Sequence, residues 1–531
     1  MATTAGWRLT IPDLGSGTAF LSRLPISNPT VAHPSLAEFI ESLIEAPPPF
    51  HVFVQLLEQA RAPLELLQEE VARSFLNKAV PLGENEENAF QQVVRGWQRM
   101  ARAYARCAQL DTSNDAEHAT RVATILQRCI RYAGRGVFEH FRVRRELPSG
   151  LWLDFYGYYD SAEEWQIADL AVFEPMERVR QTSTCTAELV AVLLTELAGP
   201  YSYSVRNIEV IFSWARLWSP MVSVVPLLGE EIGPLYSVDL LKDAGIRLQR
   251  HETHSTTARR LDTNQLAEQI ESVRAQLNQK VSPSRLGLGE CLNAEARALL
   301  DELSRPWAQI ASPRRFRRRP AQGEALLASG FDNIHYLVAG KAFSQPQSAS
   351  VYSRKEYDML FAFRHRVDPT QQFFMDQGIR DVPADRWEVI NQSAAGYRLI
   401  RRAAGQRVSH KQLLALRPPE SERFLLAQAH WLMQERAHSL VAGVEILPGV
   451  PEAISVRTDS AGGTSNEKFV VGFLLPAVPT MNSATSLLIP AGIFQTNKIL
   501  EMHTTTTWRV KLTGILQRGS DFDRVTYVMA S

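Results

Sequence analysis

The sequence is poor in the residue patterns that indicate a metal site or a disulfide framework. Its cysteines form no CxxC pair and have no histidine at metal-ligand spacing; they are Cys107, Cys129, Cys185 and Cys291. Such scatter argues against zinc and against structural disulfides, and it fits a reducing compartment. We therefore expect neither a metal nor a cofactor.

The chain also lacks an excess of charge and long hydrophobic runs. Lys and Arg number 57, as do Asp and Glu, so there is no overall attraction to nucleic acid or to anionic lipid. No run of about 18 apolar residues occurs, and the N-terminal residues have no basic region followed by an apolar stretch. The sequence predicts a cytoplasmic protein without membrane insertion, in which any site for a polyanion is local.

Catalytic motifs are missing as well. The segment His251-Glu252-Thr253-His254 does not have the helical spacing of a zinc protease motif and is typical of a polar surface loop. The glycines at Gly287 and Gly289 are not followed by the Gly-Lys-Ser/Thr of a phosphate-binding loop, and no GxSxG sequence is present. We expect a protein that is not an enzyme.

What is present is enough chain for several domains, since 531 residues are too many for one core. From about 35 to 310 the apolar residues recur at three- and four-residue steps, as in Phe90, Val93, Trp97 and Tyr104. This pattern predicts an all-α helical domain over 1–310. The aromatic spacing of 151–162 loosely suggests a tetratricopeptide-like hairpin, although the period does not repeat.

From residue 312 onward, shorter apolar or alternating runs broken by Gly and Pro replace the helical pattern. The runs interpreted as strands of a small β-barrel are 334–338, 387–390, 412–416, 424–431 and 442–447. We predict this barrel over 311–457, with a polar insertion at about 340–385. After a Gly- and Ser-rich break, 458–531 is predicted to be a second β unit or an extension of the first. The fold class is therefore α+β and multidomain.

A cluster of arginines lies at the start of the β region: Arg314-Arg315-Phe316-Arg317-Arg318-Arg319. Five arginines in six residues cannot all lie on one side of a regular element, so some must face solvent or a ligand. Guanidinium groups bind phosphate or the guanine edge bidentately and also stack on bases. The alternatives are a solvated linker and a non-specific RNA contact.

A second motif, Asn391-Gln392-Ser393-Ala394-Ala395-Gly396, lies between two apolar runs, which predicts a strand, turn, strand context. A turn of this composition ending in Gly occurs in many β proteins and has a structural interpretation on its own. The two motifs together carry more information than either one.

Together, the two motifs resemble the RxxxR and [D/N]xSxxG signatures of PilZ domains, bacterial receptors for cyclic di-GMP, over about 312–457. The resemblance implies that arginines wrap the dinucleotide, that Asn391 and Ser393 contact a guanine, and that Gly396 permits a tight turn. The arginine pair is either Arg314 with Arg318 or Arg315 with Arg319, and the sequence does not choose between them.

Two features depart from the usual PilZ pattern. Asn391 stands where Asp is more frequent, and an amide offers one acceptor where a carboxylate accepts both guanine N–H groups. In addition, 71 residues separate Arg319 from Asn391. The insertion must loop out for the motifs to meet, which loop entropy permits because each doubling of length costs only about 0.6 kcal/mol.

The resemblance implies a receptor that couples cyclic di-GMP binding to a change in domain arrangement or partner binding, with motility, pili or biofilm as the output. GGDEF and EAL motifs are absent, so the chain is expected to bind this nucleotide rather than make or degrade it. An unknown protein partner would use the helical region, and no specific nucleic acid is expected. The alternatives are a helical scaffold or chaperone-like protein whose PilZ domain no longer binds, and an RNA-binding protein.

Overall fold

A computed structural model describes residues 10–111, 115–177, 180–227, 235–249, 255–310, 316–346, 383–458 and 468–530. The chain divides into two compact units. The first comprises Met1–Arg315 together with Met433–His438, and the second comprises Phe316–Leu432 and Ser439–Ser531. Most of the predicted insertion, 347–382, lies outside the described residues.

Helices dominate the first unit, as predicted. They are α1 (Leu14–Ser22), α2 (Pro29–Glu45), α3 (Phe50–Ala72), α4 (Glu84–Leu110), α5 (His118–Arg142), α6 (Leu151–Glu164), α7 (Cys185–Leu197), α8 (Val205–Trp218), α9 (Asn264–Asn278) and α10 (Asn293–Trp307). The predicted apolar face of α4 is buried, with Phe90, Val93 and Trp97 fully enclosed. Helix α5 is buried along most of its length, which makes it the centre around which the other helices pack.

The first unit also contains strands that the sequence pattern did not predict. Strands β1 (Val172–Phe173) and β2 (Thr182–Ser183) form a short antiparallel pair. Strands β3 (Ser223–Pro226), β4 (Leu235–Asp239), β5 (Arg247–Gln249) and β6 (Ala258–Asp262) form a sheet in the order β3-β6-β4-β5. These strands have five residues or fewer, too short for an alternating pattern to be recognised in the sequence.

The second unit begins with the predicted barrel. Its strands are β7 (Arg319–Pro320), β8 (Glu324–Ser329), β9 (Asp385–Ser393), β10 (Gly396–Arg401), β11 (Leu413–Arg417), β12 (Leu425–Gln434) and β13 (Leu440–Ile446), in the order β10-β13-β12-β11-β8-β9-β7. Strand β9 pairs with β10 as well as with β8. Those two pairings close the six strands from β8 through β13 into a ring. Strand β7 pairs with the same edge of β9 that β8 occupies further along the strand.

Four of the five predicted strand runs lie in β9, β11, β12 and β13, and one prediction is wrong. Residues 334–338 lie in helix α11 (Phe331–Ala339), not in a strand. Ile334 and His335 are the buried residues of this helix. A short amphipathic helix and a short apolar strand cannot be distinguished by so brief an apolar run.

The C-terminal part of the second unit is a closed barrel in the order β14-β15-β16-β19-β18-β17. Its strands are β14 (Glu452–Thr458), β15 (Val470–Leu475), β16 (Ser486–Pro490), β17 (Ile499–His503), β18 (Thr507–Arg518) and β19 (Phe522–Met529). The predicted boundary at 457 assigned β14 to the first barrel, whereas β14 pairs with β15 and β17 of the second barrel.

One hydrophobic core joins the two barrels through α11. Ala328 and Leu413 from the first barrel, Ile334 from α11, and Phe473 and Leu488 from the second barrel belong to the same buried cluster. The Phe331 ring in α11 lies 5.8 Å from the ring of Phe473, centroid to centroid. The two barrels therefore pack as one body.

Within the part of the chain that the structure describes, no helix is long and apolar enough to cross a membrane. The same residues contain no group of three or more His, Cys, Asp and Glu side chains placed to hold a metal ion.

Candidate functional site

The two sequence motifs meet at the edge of the first barrel. Strand β7 pairs antiparallel with the end of β9, with Arg319 opposite Gln392 and Pro320 opposite Asn391. Continuing this register places Arg318 beside Ser393. Residues opposite one another in an antiparallel pair have Cα atoms about 4.5–5.5 Å apart, so the 71-residue separation in sequence is closed by a single strand pairing.

A β-bulge aims the Asn391 and Ser393 side chains away from the barrel interior. On β9, Trp387 and Val389 are buried inside the barrel. The pairing of β9 with β10 shifts register between Arg398 and Leu399, which leaves Ile390 without a partner in that ladder. An extra residue in one strand reverses the alternation beyond it, so Asn391 and Ser393 share the outer face.

The turn that joins β9 to β10 is fixed by Ser393. Its Oγ accepts a hydrogen bond from the Ala395 backbone N–H at 3.4 Å and donates one to the Gly396 carbonyl at 3.3 Å. A hydroxyl that bonds to backbone two and three residues away closes a tight loop. The motif therefore forms the strand, turn, strand arrangement that its sequence context predicted.

Gly396 is required for a reason other than turn geometry. Its φ does not lie in the left-handed region, unlike that of Gly330 or Gly449. A Cβ at position 396 would lie only 2.0 Å from the Val444 carbonyl oxygen on β13. Glycine is thus needed because β10 approaches the β13 backbone closely.

An open groove of about 190 Å³ runs over this outer face. Its lining residues come from the residue before β7, the β9 to β10 hairpin, β12 and β13; they are Arg318, Ser393, Ala395, Gly396, Tyr397, His430, Trp431, Gly443, Val444 and Glu445. The Tyr397 side chain lies on the opposite face of β10, with Gln392 and Glu420 at a second cavity. The groove therefore presents a guanidinium, a hydroxyl, an aromatic ring and a carboxylate.

The aromatic wall of the groove is Trp431, seated directly over Gly443. A Cβ on Gly443 would lie 1.9 Å from the Trp431 Nε1 atom, so only glycine lets the indole rest on β13. The Arg398 guanidinium lies 5.7 Å from the centre of the indole ring, a distance at which cation–π attraction holds both groups. Trp431 is therefore a fixed flat surface, half-buried and open to the groove.

We expect Gly443→Ala to displace this indole. The added methyl group overlaps Trp431, so the free energy of unfolding should fall by roughly 1–3 kcal/mol, and the near-ultraviolet circular dichroism of the aromatic residues should change. Gly157→Ala is the matched control because no atom lies within 4 Å of its added Cβ. In helix α6 that change should be neutral or stabilising. An unchanged spectrum for Gly443→Ala would show that the indole rests elsewhere.

The predicted site residues separate into three groups. Arg318, Ser393 and Gly396 line the groove, and Asn391 lies on the same face next to it, opposite Arg398 and Pro320. Arg319 pairs with Gln392 and, by strand alternation, faces the opposite side. Arg314 and Arg315 lie outside the described residues.

The groove residues missed from the sequence include Trp431, His430 and Glu445. Trp431 and His430 lie in a run that was correctly predicted as a strand, and Glu445 lies in another. Sequence reasoning gave the strands but not which strand is adjacent to which. The signal that was available is Gly443 within an otherwise bulky strand, since such a glycine marks close approach by another group.

Family models match three successive parts of the chain: the N-terminal domain of the cyclic-di-GMP receptor FimW over 16–227, the middle PilZ domain of that receptor over 236–372, and the FimW C-terminal β-barrel domain over 454–530. The chain belongs to the PilZ-domain cyclic-di-GMP receptor family. Asn391 to Gly396 lie between the second and third matched segments.

One relative is the cyclic-di-GMP receptor FimW of Pseudomonas aeruginosa. It is 22% identical over 518 residues, an alignment that covers 90% of this chain and 84% of the relative. No solved structure matches the chain. The family name describes a receptor, which is a binding role rather than a catalytic one.

Proposed function

We propose that this protein is a cytoplasmic receptor that binds cyclic di-GMP in the groove over β9, β10 and β13, and that it is not an enzyme. The observation that carries the proposal is the pairing of β7 with β9, which brings Arg318 to Ser393 and Gly396. Arg318 would bind a phosphate, since a guanidinium donates two parallel hydrogen bonds to phosphate oxygens. Asn391 and Ser393 would contact a guanine.

Binding would act on the segment between the two units. Arg318 lies three residues beyond Arg315, the last residue before the chain passes into the second unit. A ligand shifts an equilibrium only through different affinities for the two states. We infer that the nucleotide favours the state in which β7 is paired with β9, and that this order is transmitted to the helical unit and its protein partner, with motility, pili or biofilm as the output.

Isothermal titration calorimetry of the full chain with cyclic di-GMP tests the proposal. We expect saturable binding at tens of micromolar protein, with cyclic di-AMP and GTP binding more weakly. The absence of heat with cyclic di-GMP would favour the scaffold interpretation, in which the PilZ domain no longer binds. Equal binding of all three nucleotides with steep salt dependence would instead indicate a non-specific polyanion site.

Ser393→Ala should weaken cyclic di-GMP binding by roughly 1–3 kcal/mol because a hydrogen bond to the ligand and the two turn contacts are lost together. Calorimetry measures the change in affinity. Ser421→Ala serves as the control, since that hydroxyl also bonds to the backbone of a nearby turn residue, Arg423, yet does not line the groove. Equal affinities for wild type and Ser393→Ala would place the guanine away from this turn.

A further inference from the structure

The groove has a charge of opposite sign at each end. Ser393, Gly396 and Glu445 are direct neighbours across β9, β10 and β13, and Arg318, the residue before β7, extends this row. Adjacent strands are about 4.8 Å apart, so three spacings separate Arg318 from Glu445 by roughly 14 Å at the backbone. One end is cationic, and the other carries a carboxylate.

Glu445 is the carboxylate among the described residues that line the groove. Its side chain is half exposed, and its Oε2 lies 3.9 Å from the His430 Nδ1. Burial lowers the pKa of the Arg524 guanidinium in the second barrel, and the charge of Glu445 opposes that shift. A carboxylate repels a phosphate and the Arg318 guanidinium attracts one, so we place the phosphate toward Arg318. The Glu445 end is suited to a part of the ligand that donates hydrogen bonds.

Guanine presents such a donor pair. Its Watson–Crick edge carries N1–H and the N2 amino group side by side, and an ionised carboxylate accepts two parallel hydrogen bonds with its two oxygens. Adenine offers only its N6 amino group on that edge. A base stacked on the Trp431 indole, which lines the same groove, would direct its edge along β13.

We propose that Glu445 reads the guanine edge of the bound nucleotide and sets the selectivity for guanine over other purines. This inference rests on the proposed function, because it concerns the same groove and the same ligand. Glu445 is assigned the base edge, Trp431 the base face and Arg318 the phosphate. The single acceptor oxygen of Asn391 is then not required to satisfy both guanine donors.

The test compares cyclic di-GMP with cyclic di-IMP, whose hypoxanthine bases keep N1–H and lack the N2 amino group. For wild type we expect tighter binding of cyclic di-GMP by roughly tenfold or more, as a bidentate contact discriminates against a partner lacking one donor. For Glu445→Gln we expect roughly ten- to one-hundredfold weaker cyclic di-GMP binding. The preference over cyclic di-IMP should fall to a few-fold, since an amide has one acceptor oxygen.

Glu422→Gln is the matched control: it is exposed in the same unit and does not line the groove. If Glu445 only held His430 or Arg524 in place, Glu445→Gln would weaken the binding of both nucleotides equally. The ratio of the two affinities would then stay unchanged. That result, or an affinity of Glu445→Gln for cyclic di-GMP equal to that of wild type, would overturn the inference. The binding of cyclic di-GMP by wild type would not be contradicted by either outcome. If wild type bound neither nucleotide, the proposed function itself would fail.

Discussion

Replacing Arg318 by alanine should reduce cyclic di-GMP binding to below detection at tens of micromolar protein. A buried bidentate contact to a phosphate is worth roughly 2–4 kcal/mol at a binding hot spot, and Arg318 is the guanidinium of the arginine cluster that lines the groove among the described residues. The thermal midpoint should hardly change, because Arg318 is exposed and surface substitutions are usually within about 0.5 kcal/mol. Calorimetry and thermal unfolding measure the two quantities.

Arg319→Ala is the matched control for this prediction. Arg319 is the immediate neighbour of Arg318 and is also exposed. By strand alternation, its side chain faces the other side of the β7–β9 pair. We expect it to retain most of the affinity. If Arg319→Ala abolished binding and Arg318→Ala did not, the other register of the arginine motif would be correct. Equal, full binding by both variants would move the phosphate away from β7.

The same pair of arginines shows where sequence reasoning succeeded and where it stopped. The resemblance to PilZ domains implied that the arginine cluster and the 391–396 motif share a site, and β7 pairs with β9 beside that motif. The choice between Arg318 and Arg319 needed the strand register, because one residue of slip reverses every side chain. Register depends on partners distant in sequence, which a single chain pattern does not contain.

The other half of the groove was hidden for a related reason. Trp431 and Glu445 lie on strands that were predicted, yet their proximity to Ser393 follows from β13 pairing with β10. Ladder order in an antiparallel barrel is set by packing of the whole core rather than by local composition. The bulge at Ile390 could not be predicted from the sequence either. It turns Asn391 outward, and the hydrophobic pattern indicates it only by one exposed isoleucine.

The second large effect is expected for Phe473→Ala, which should destabilise both barrels together. Phe473 is fully buried on β15 and packs in a core shared with α11 and with Leu413 and Ala328 of the first barrel. Removing a buried phenyl ring leaves a cavity and costs roughly 3–5 kcal/mol. For a unit of this size that corresponds to a fall in the melting temperature of roughly 6–20 °C.

Differential scanning calorimetry of the full chain, read alongside cyclic di-GMP binding, distinguishes a shared core from two independent barrels. With a shared core, the ligand raises the melting temperature of the same transition that Phe473→Ala lowers, because ligand binding and ring packing stabilise one cooperative body. Leu516→Ala is the control, as that side chain on β18 is half exposed and should shift the transition little. Two separate transitions, with the ligand acting on one and Phe473→Ala on the other, would contradict the shared core. Cooperative melting would instead follow from the shared cluster, in which Leu413 and Leu426 of the first barrel pack in one core with Phe473 of β15.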